Sequence, residues 1–98
     1  MGTIHELRGF QRDLLFVING LDDPNGQEVL GEMNRAVADE IQHGRLYSNL
    51  DDLVEMGLVE KAAKNGRTNR YTLTPAGREI LKSRREWERH YLEIAEST

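Results

Sequence analysis

The chain has 98 residues, a net charge of −4 and no cysteine, which is enough sequence for one domain with a single modest core. The absence of cysteine excludes disulfides, thiolate metal sites and thiol-based redox sensing. No apolar run approaches the roughly 20 residues of a membrane span, and the first residues lack the order of a signal peptide, so a cytoplasmic location without membrane contact is expected.

The charge is sorted along the chain. Residues 22–40 contain six acids and one arginine, a net of −5, whereas residues 61–70 contain two lysines, two arginines and no acid, a net of +4. The total charge argues against nucleic acid, whose phosphates attract basic proteins. The local surface matters more than the total, so the basic segment keeps nucleic acid as a candidate partner.

The first predicted element is an amphipathic helix from about Leu7 to Gly20. Its apolar residues recur at spacings of three and four and are Leu7, Phe10, Leu14, Leu15, Val17 and Ile18. Phe10 and Phe16 are both expected to pack in the core. Gly20 and the Asp-Asp-Pro sequence after it end the helix.

The second predicted helix follows Asn25 and ends near Val37 or Ala38. Asn25 and Glu28 have the spacing of a capping box, with Asn in place of the usual Ser or Thr. The apolar face consists of Val29, Leu30, Met33, Ala36 and Val37. Its acids are expected on a solvated face, and the helix is expected to support the one that follows.

A turn from Asp39 to Gly44, with Ile41 pointing inward, leads to a third helix over about residues 45–56. The apolar residues of this helix are Leu46, Leu50, Leu53 and Val54. Gly57 ends it, since glycine readily adopts positive φ. In a helix-turn-helix the N-terminal residues of the second helix meet base edges, and its free N–H groups and dipole favour phosphate. This third helix is therefore the predicted recognition helix.

The outer side of the recognition helix carries the candidate DNA contacts. The projection from the leucines places Arg45, Ser48, Asn49 and Asp52 there. Arg45 is predicted to pair with guanine and Asn49 with adenine, each at about 1–3 kcal/mol of discrimination. Ser48 and Tyr47 are predicted to donate to phosphate.

Two further features of this helix have alternative interpretations. His43 adds charge beside the DNA if it is protonated, or else it fills the turn with a solvated ring. The acids Asp51, Asp52 and Glu55 repel phosphate unless they lie on the far half of the helix, accept from cytosine, or share a cation with DNA. A bridging cation at Asp52 is the hypothesis to test.

Residues 58–74 are predicted to form a β-hairpin. Leu58 and Val59 open the first strand, Asn65-Gly66 supplies the turn, and the segment from Arg70 to Thr74 alternates polar and apolar residues. The predicted DNA contacts of this hairpin, or wing, are Lys64, Asn65, Arg67, Thr68, Asn69 and Arg70. The alternative is a solubilising turn that happens to be basic.

Thr74 and Pro75 are the predicted N-cap and first residue of a last helix, which reaches about Ile94 or Ala95. Ala76, Ile80 and Leu81 are expected to pack within the domain. Ile80, Trp87 and Ile94 have heptad spacing, and a stripe that continues past the core needs a partner. The predicted dimerisation residues are Ile80, Arg84, Trp87, Tyr91 and Ile94. The alternative is that the helix folds back on the first helix.

Four segments resemble PadR-like transcriptional regulators. They are residues 43–50 (HGRLYSNL), 53–59 (LVEMGLV), 71–77 (YTLTPAG) and 9–15 (GFQRDLL). The first and last look closest to haloarchaeal members of the family, among them an oxidative-stress regulator. The resemblance implies a dimer, a role in stress response and a salt-rich cytoplasm. It also implies that Tyr47 stands beside core leucines, partly buried with its hydroxyl at the edge.

These patterns predict a mainly α protein with a small β-hairpin (α+β), built as a winged helix-turn-helix. Residues 1–74 form the DNA-binding unit, and residues 75–98 form a C-terminal helix for core packing and dimerisation. The predicted function is a homodimeric, sequence-specific regulator acting on a pseudo-palindromic site of double-stranded DNA. The alternative is a winged-helix module that binds protein and no DNA.

An enzyme is not expected. The histidines, His5, His43 and His90, form no metal-binding pair, and the sequence has no Gly-rich phosphate loop, nucleophile elbow or Cys-His set. No metal and no cofactor are therefore predicted, and nothing in the sequence marks a pocket for a small-molecule effector.

Overall fold

Four helices and a two-stranded antiparallel hairpin make up the part of the chain described by the computed structural model, residues 7–36, 40–64, 66 and 68–96. The elements are α1 (Gly9–Gly20), α2 (Gly26–Ala36), α3 (His43–Glu55), β1 (Val59–Lys64), β2 (Thr68–Leu73) and α4 (Pro75–Glu96). This order confirms the mainly α winged helix-turn-helix with one small hairpin.

The observed ends of the helices differ from the predicted ones by a few residues. Helix α1 begins at Gly9 rather than Leu7, and α3 begins at His43, so His43 belongs to the first turn of the recognition helix. Gln42 is the N-cap of α3 and has extended backbone. The predicted end of the second helix at Val37 or Ala38, and the start of the turn at Asp39, lie outside the described residues.

Capping interactions set several of these ends. The backbone N–H of Asn25 donates to Glu28 Oε1 and that of Glu28 donates to Asn25 Oδ1, both at 2.8 Å, which confirms the capping box. The N–H of Gly77 donates to Thr74 Oγ1 at 3.1 Å, which confirms Thr74 as an N-cap. Gly57 has a φ of +78°, as expected for the residue that ends α3.

The hairpin is anchored to the loop before α2. Its register pairs Val59 with Leu73 and Lys64 with Thr68, and Gly66 has a φ of +69° at the tip. Tyr71 of β2 donates its backbone N–H to the carbonyl of Pro24 at 2.9 Å. The wing is therefore attached to the loop that leads into α2.

The core is formed by α1, α2, α3 and the base of the hairpin. Its buried apolar residues are Leu7, Leu14, Leu15, Ile18, Val29, Leu30, Met33, Ile41, Leu46, Leu50, Leu53, Leu58, Val59, Tyr71, Leu73 and Leu81. Ile41 points inward, as predicted. Helix α4 contributes Leu81 to this set, and Ile80 packs against it while half-buried.

Some apolar residues expected in the core are exposed. Phe16 is 40% exposed, because Leu14 and Ile18 face the core four residues apart and the position midway between them lies on the opposite face. Ala76 is exposed, and Gly77 is buried instead. A Cβ at Gly77 would overlap the carbonyl oxygen of Leu58, so α4 approaches the backbone closely at this point. Ala36 at the end of α2 is also exposed.

The second half of α4 leaves large apolar side chains exposed. Trp87 is 43% exposed and Tyr91 is 54% exposed, followed by Leu92 at 64% and Ile94 at 46%. No helix in the described ranges is long and apolar enough to cross a membrane.

Candidate nucleic-acid interface

Helix α3 presents four of the predicted contact residues to solvent. Leu46, Leu50 and Leu53 are fully buried and fix the rotation of the helix about its axis. The residues left exposed on the other side include Arg45, Ser48 and Asp52, and His43 is exposed in the first turn. They lie on a helix whose first turn has unpaired N–H groups, the end that favours phosphate.

Asn49 does not lie on this outer face, and that part of the sequence interpretation is wrong. Its side chain is only 8% exposed. Asn49 Oδ1 accepts a hydrogen bond from Gln11 Nε2 at 3.1 Å, and Asn49 Nδ2 donates to the carbonyl of Arg45 at 2.8 Å. Because the amide is buried and both of its polar atoms are bonded inside the protein, Asn49 is not presented to the edge of an adenine.

The guanidinium of Arg45 lies over the ring of Phe10, with its central carbon 4.0 Å from the ring centroid. A guanidinium that stacks on an aromatic ring contacts it with its flat face, and its N–H donors lie in its plane and point away from the contact. The donors of Arg45 therefore remain available to a base or a phosphate.

Tyr47 is half-buried, packs against the core and contacts the start of α2. A Cβ at Gly26 would overlap the Tyr47 hydroxyl and ring, so the ring rests directly on the backbone of Gly26. The centroid of the His43 ring lies 6.3 Å from that of Tyr47. Partial burial of Tyr47 is confirmed, and its phosphate contact stays a prediction.

One cavity joins the recognition helix, the wing and the start of α2. It has a volume of about 350 Å³, and its lining residues are Asn25, Gly26, Gln27, Tyr47, Thr68, Asn69 and Tyr71. Thr68 and Asn69 are exposed. Residues from α3 and from β2 therefore border the same opening, beside the N-terminal turn of α2.

Tyr71 forms the inner wall of this cavity and is 2% exposed. Burial raises the pKa of its hydroxyl above the usual 10.0, and the neighbouring Tyr47 and Asp51 raise it further. Tyr71 thus stays a neutral hydrogen-bonding group between the wing and α3.

Arg70 was predicted as a DNA contact, but its guanidinium is engaged within the protein. Arg70 Nη1 donates to Glu28 Oε1 at 3.0 Å and to the carbonyl of Asp23 at 3.2 Å, and its buried Nε has no acceptor in the described part of the chain. Arg70 therefore holds β2 against the start of α2 rather than extending as a free cation. The side chain of Lys64, together with Asn65 and Arg67, falls outside the described residues.

Lys61 links the wing to the recognition helix. Its Nζ lies 3.6 Å from Asp51 Oδ1, in a pair whose side chains are 39% and 64% exposed. Lys61 therefore offsets the negative charge of one acid of α3, although a surface ion pair of this kind contributes little to stability. Asp52 is exposed one residue further on.

The predicted dimerisation residues divide into two groups. Ile80 packs against the domain core and does not belong to the exposed stripe. The guanidinium carbon of Arg84 lies 4.5 Å from the Trp87 ring centroid and its Nε donates to Glu88 at 3.0 Å. The rings of Trp87 and Tyr91 are 5.1 Å apart between centroids. The exposed stripe therefore begins near Arg84 and continues through Trp87, Tyr91 and Ile94.

Sequence reasoning missed Gln11, which is 3% exposed and supports Asn49. One signal was available: Gln11 lies between Leu7 and Leu14 on the apolar stripe of α1, where a polar residue needs a hydrogen-bond partner. In the described ranges, no three His, Asp or Glu side chains come together as metal ligands.

Comparison with known proteins points to transcriptional regulators. The profile of the transcriptional regulator PadR-like family matches residues 14–83. No curated protein sequence matches the chain.

Solved structures match along nearly the whole chain. RosR of H. salinarum, in a structure grown from NaBr, is 36% identical with a TM-score of 0.78, and the match covers 94% of each chain. A complex structure of the same protein, hsRosR-SG, is 34% identical with a TM-score of 0.82, covering 98% of this chain and 96% of that one. Streptococcus pneumoniae FabT in complex with DNA is 18% identical with a TM-score of 0.76, covering 94% and 62%, and this likeness shows the fold alone.

Proposed function

Because this chain belongs to the transcriptional regulator PadR-like family, we propose that it binds double-stranded DNA sequence-specifically through α3 and the wing. The observation that carries the proposal is the shared cavity, since Tyr47 of α3 and Thr68 and Asn69 of β2 border it together. A helix and a hairpin on one side of a domain fit a major groove and the backbone next to it.

The chemistry of the exposed residues supports this assignment. Arg45 has free in-plane donors at the N-terminal turn of α3, and Arg is the side chain that pairs bidentately with guanine. His43, Tyr47 and Ser48 lie in the same part of the helix as candidate phosphate contacts. On the wing, Lys64, Asn65, Arg67, Thr68 and Asn69 complete the proposed contact set.

A homodimer is the proposed active form. Two recognition helices related by a two-fold axis would meet successive major grooves about 34 Å apart, which implies a pseudo-palindromic site. The exposed stripe of α4 is the proposed dimer contact. The similarity to RosR of H. salinarum supports a regulator that works in the cytoplasm of a halophilic archaeon, and a role in stress response belongs to the same proposal.

The test begins with selection of duplexes from a randomised library by the purified protein, followed by binding measurements across salt concentrations. We expect a two-fold symmetric site. Arg45→Ala should lose about 1–3 kcal/mol of discrimination at one base pair in each half-site. Arg85→Ala, which removes an exposed arginine of α4, is the matched control and should bind as the unsubstituted protein does. Absence of duplex binding at every salt concentration would contradict the proposal and favour a protein-binding module.

Because α3 carries acids beside the proposed DNA contacts, we extend the proposal to a cation shared between Asp52 and DNA. Asp51 is paired with Lys61, whereas Asp52 lies exposed on the outer face. Asp52→Asn should make the affinity for DNA fall more steeply with rising salt than in the unsubstituted protein, because uptake of the shared cation no longer offsets the release of counterions from the phosphates. Glu55→Gln, at the other end of the helix, is the control. Equal salt dependence for Asp52→Asn and the unsubstituted protein would discard the cation.

A further inference from the structure

Arg45 is held by α1 at two separate points. Its guanidinium lies over the Phe10 ring, 4.0 Å from the centroid. Its backbone carbonyl accepts a hydrogen bond from Asn49, which in turn accepts one from Gln11. The side chain and the backbone of the same residue are thus both fixed by neighbouring positions of α1.

The Gln11–Asn49 contact belongs to a continuous chain of three hydrogen bonds. The N–H of Arg8 donates to Gln11 Oε1 at 3.3 Å, Gln11 Nε2 donates to Asn49 Oδ1 at 3.1 Å, and Asn49 Nδ2 donates to the Arg45 carbonyl at 2.8 Å. Gln11 and Asn49 are 3% and 8% exposed. Away from water such bonds are stronger, and a broken one leaves a costly unpaired group. The chain therefore fixes where the first turn of α3 sits relative to α1.

The aromatic contact orders the exposed part of Arg45. A cation over a ring is attracted by the π-system, and the flat guanidinium keeps its N–H donors in the plane, away from the ring. A long side chain that is already ordered loses less rotamer freedom when it binds. Phe10 therefore presents the donors of Arg45 in a fixed direction without using any of them.

We propose that Phe10 and Gln11 of α1 are positioning residues for base recognition by Arg45. They act through Arg45, the first by orienting its guanidinium and the second by fixing its backbone through Asn49. The inference rests on the proposed function and adds a part of the specificity apparatus that lies outside the helix-turn-helix and the wing.

The experiment uses the duplex that the unsubstituted protein selects from a randomised library, together with duplexes changed at one base pair each. Phe10→Leu keeps an apolar side chain and removes the ring, whereas Phe10→Tyr keeps the ring. We expect Phe10→Leu to lose about two- to five-fold of discrimination, the range for an exposed cation–π contact. The loss should occur only at the base pair that Arg45→Ala identifies, with the salt dependence unchanged and Phe10→Tyr behaving as the unsubstituted protein.

A double substitution separates positioning from general stability. In an Arg45→Ala background, Phe10→Leu should have no further effect on discrimination, because no guanidinium remains to be oriented. Gln11→Met, which keeps the length of the side chain and removes its amide, should lower discrimination at the same base pair. Thermal unfolding of each variant shows that it is folded, and Phe10→Leu carries the test if Gln11→Met does not fold.

Several outcomes overturn the inference and leave the binding of duplex DNA by the protein unaffected. They are a silent or binding-enhancing Phe10→Leu, an equal loss at every base pair, an effect that persists in the Arg45→Ala background, and an Arg45→Ala variant that discriminates normally. Failure of the unsubstituted protein to bind any duplex is distinct, since it overturns the proposed function and this inference with it.

Discussion

Tyr71 lies where the wing, α2 and α3 meet. Its side chain is 2% exposed, its N–H donates to Pro24, and its ring lines the cavity shared with Tyr47. Burial raises the pKa of its hydroxyl, and the nearby Tyr47 and Asp51 raise it further. A buried tyrosine of this kind makes stability depend on alkaline pH.

The sign of this pH dependence follows from the two states. The unfolded chain ionises Tyr71 near its usual pKa of 10.0, whereas the folded protein holds the proton to higher pH. The contribution of Tyr71 is therefore complete below about pH 10 and is lost as pH rises through the raised pKa. Tyr71→Phe should flatten the alkaline fall in the free energy of unfolding, measured by urea denaturation from pH 8 to about 11.

Tyr91→Phe is the matched control, because Tyr91 is 54% exposed on α4. This variant should keep the alkaline fall seen in the unsubstituted protein. Equal slopes in Tyr71→Phe and the unsubstituted protein would show that the alkaline loss has another origin.

Residue roles were harder to predict from the sequence than residue positions. The helical projection correctly placed Arg45, Ser48 and Asp52 on the outer side of α3. It failed for Asn49, because a projection gives an angle about the helix axis and cannot show that Gln11 of α1 covers that angle. Contacts between residues distant in sequence decide burial, and a single periodic pattern carries no information on them.

At the scale of elements, local signals in the sequence were sufficient to predict the order and the type of the helices and strands. The Asn25–Glu28 capping box, the Thr74 N-cap and the positive φ of Gly57 depend on residues within a few positions of each other. The attachment of the wing to α2 was not predicted. It depends on Arg70 and Tyr71 reaching the loop at Asp23 and Pro24, many residues earlier in the chain.

Arg70 is therefore expected to serve the attachment of the wing rather than the binding of phosphate. Arg70→Ala removes the hydrogen bonds to Glu28 and to the Asp23 carbonyl and should cost about 1 kcal/mol of stability, because the pair is partly exposed. The salt dependence of DNA binding should stay unchanged. The measurements are urea denaturation and binding titrations at several salt concentrations.

Arg67→Ala tests a different wing arginine, one that is predicted from the sequence to contact phosphate. This variant should lower the log–log salt slope of DNA binding by about 0.9 and change stability by less than about 0.5 kcal/mol. A reduced salt slope in Arg70→Ala would mean that its guanidinium leaves Glu28 when DNA binds.

For the whole molecule, the two halves of α4 differ in their surroundings. Its first turns pack on the domain through Gly77, Ile80 and Leu81. Its later turns expose Trp87 and Tyr91, whose rings pack against each other. Exposed aromatic residues in a contiguous stripe are typical of interfaces, and the proposed homodimer covers them with the same stripe of a second copy.

Trp87→Ser should dissociate this dimer. A buried aromatic at the centre of an interface contributes about 2–4 kcal/mol, so the dissociation constant should rise by about 30- to 1,000-fold. Sedimentation velocity over a range of protein concentrations measures the change. The unfolding midpoint of the unsubstituted protein should depend on concentration, and that of a monomeric variant should not. Phe16→Ser is the matched control, because Phe16 is a comparably exposed aromatic, at 40%, on α1. If Trp87→Ser sediments as the unsubstituted protein does while both are dimers, the stripe is not the contact, and the two-fold axis that sets the spacing of the DNA half-sites must pass through another surface.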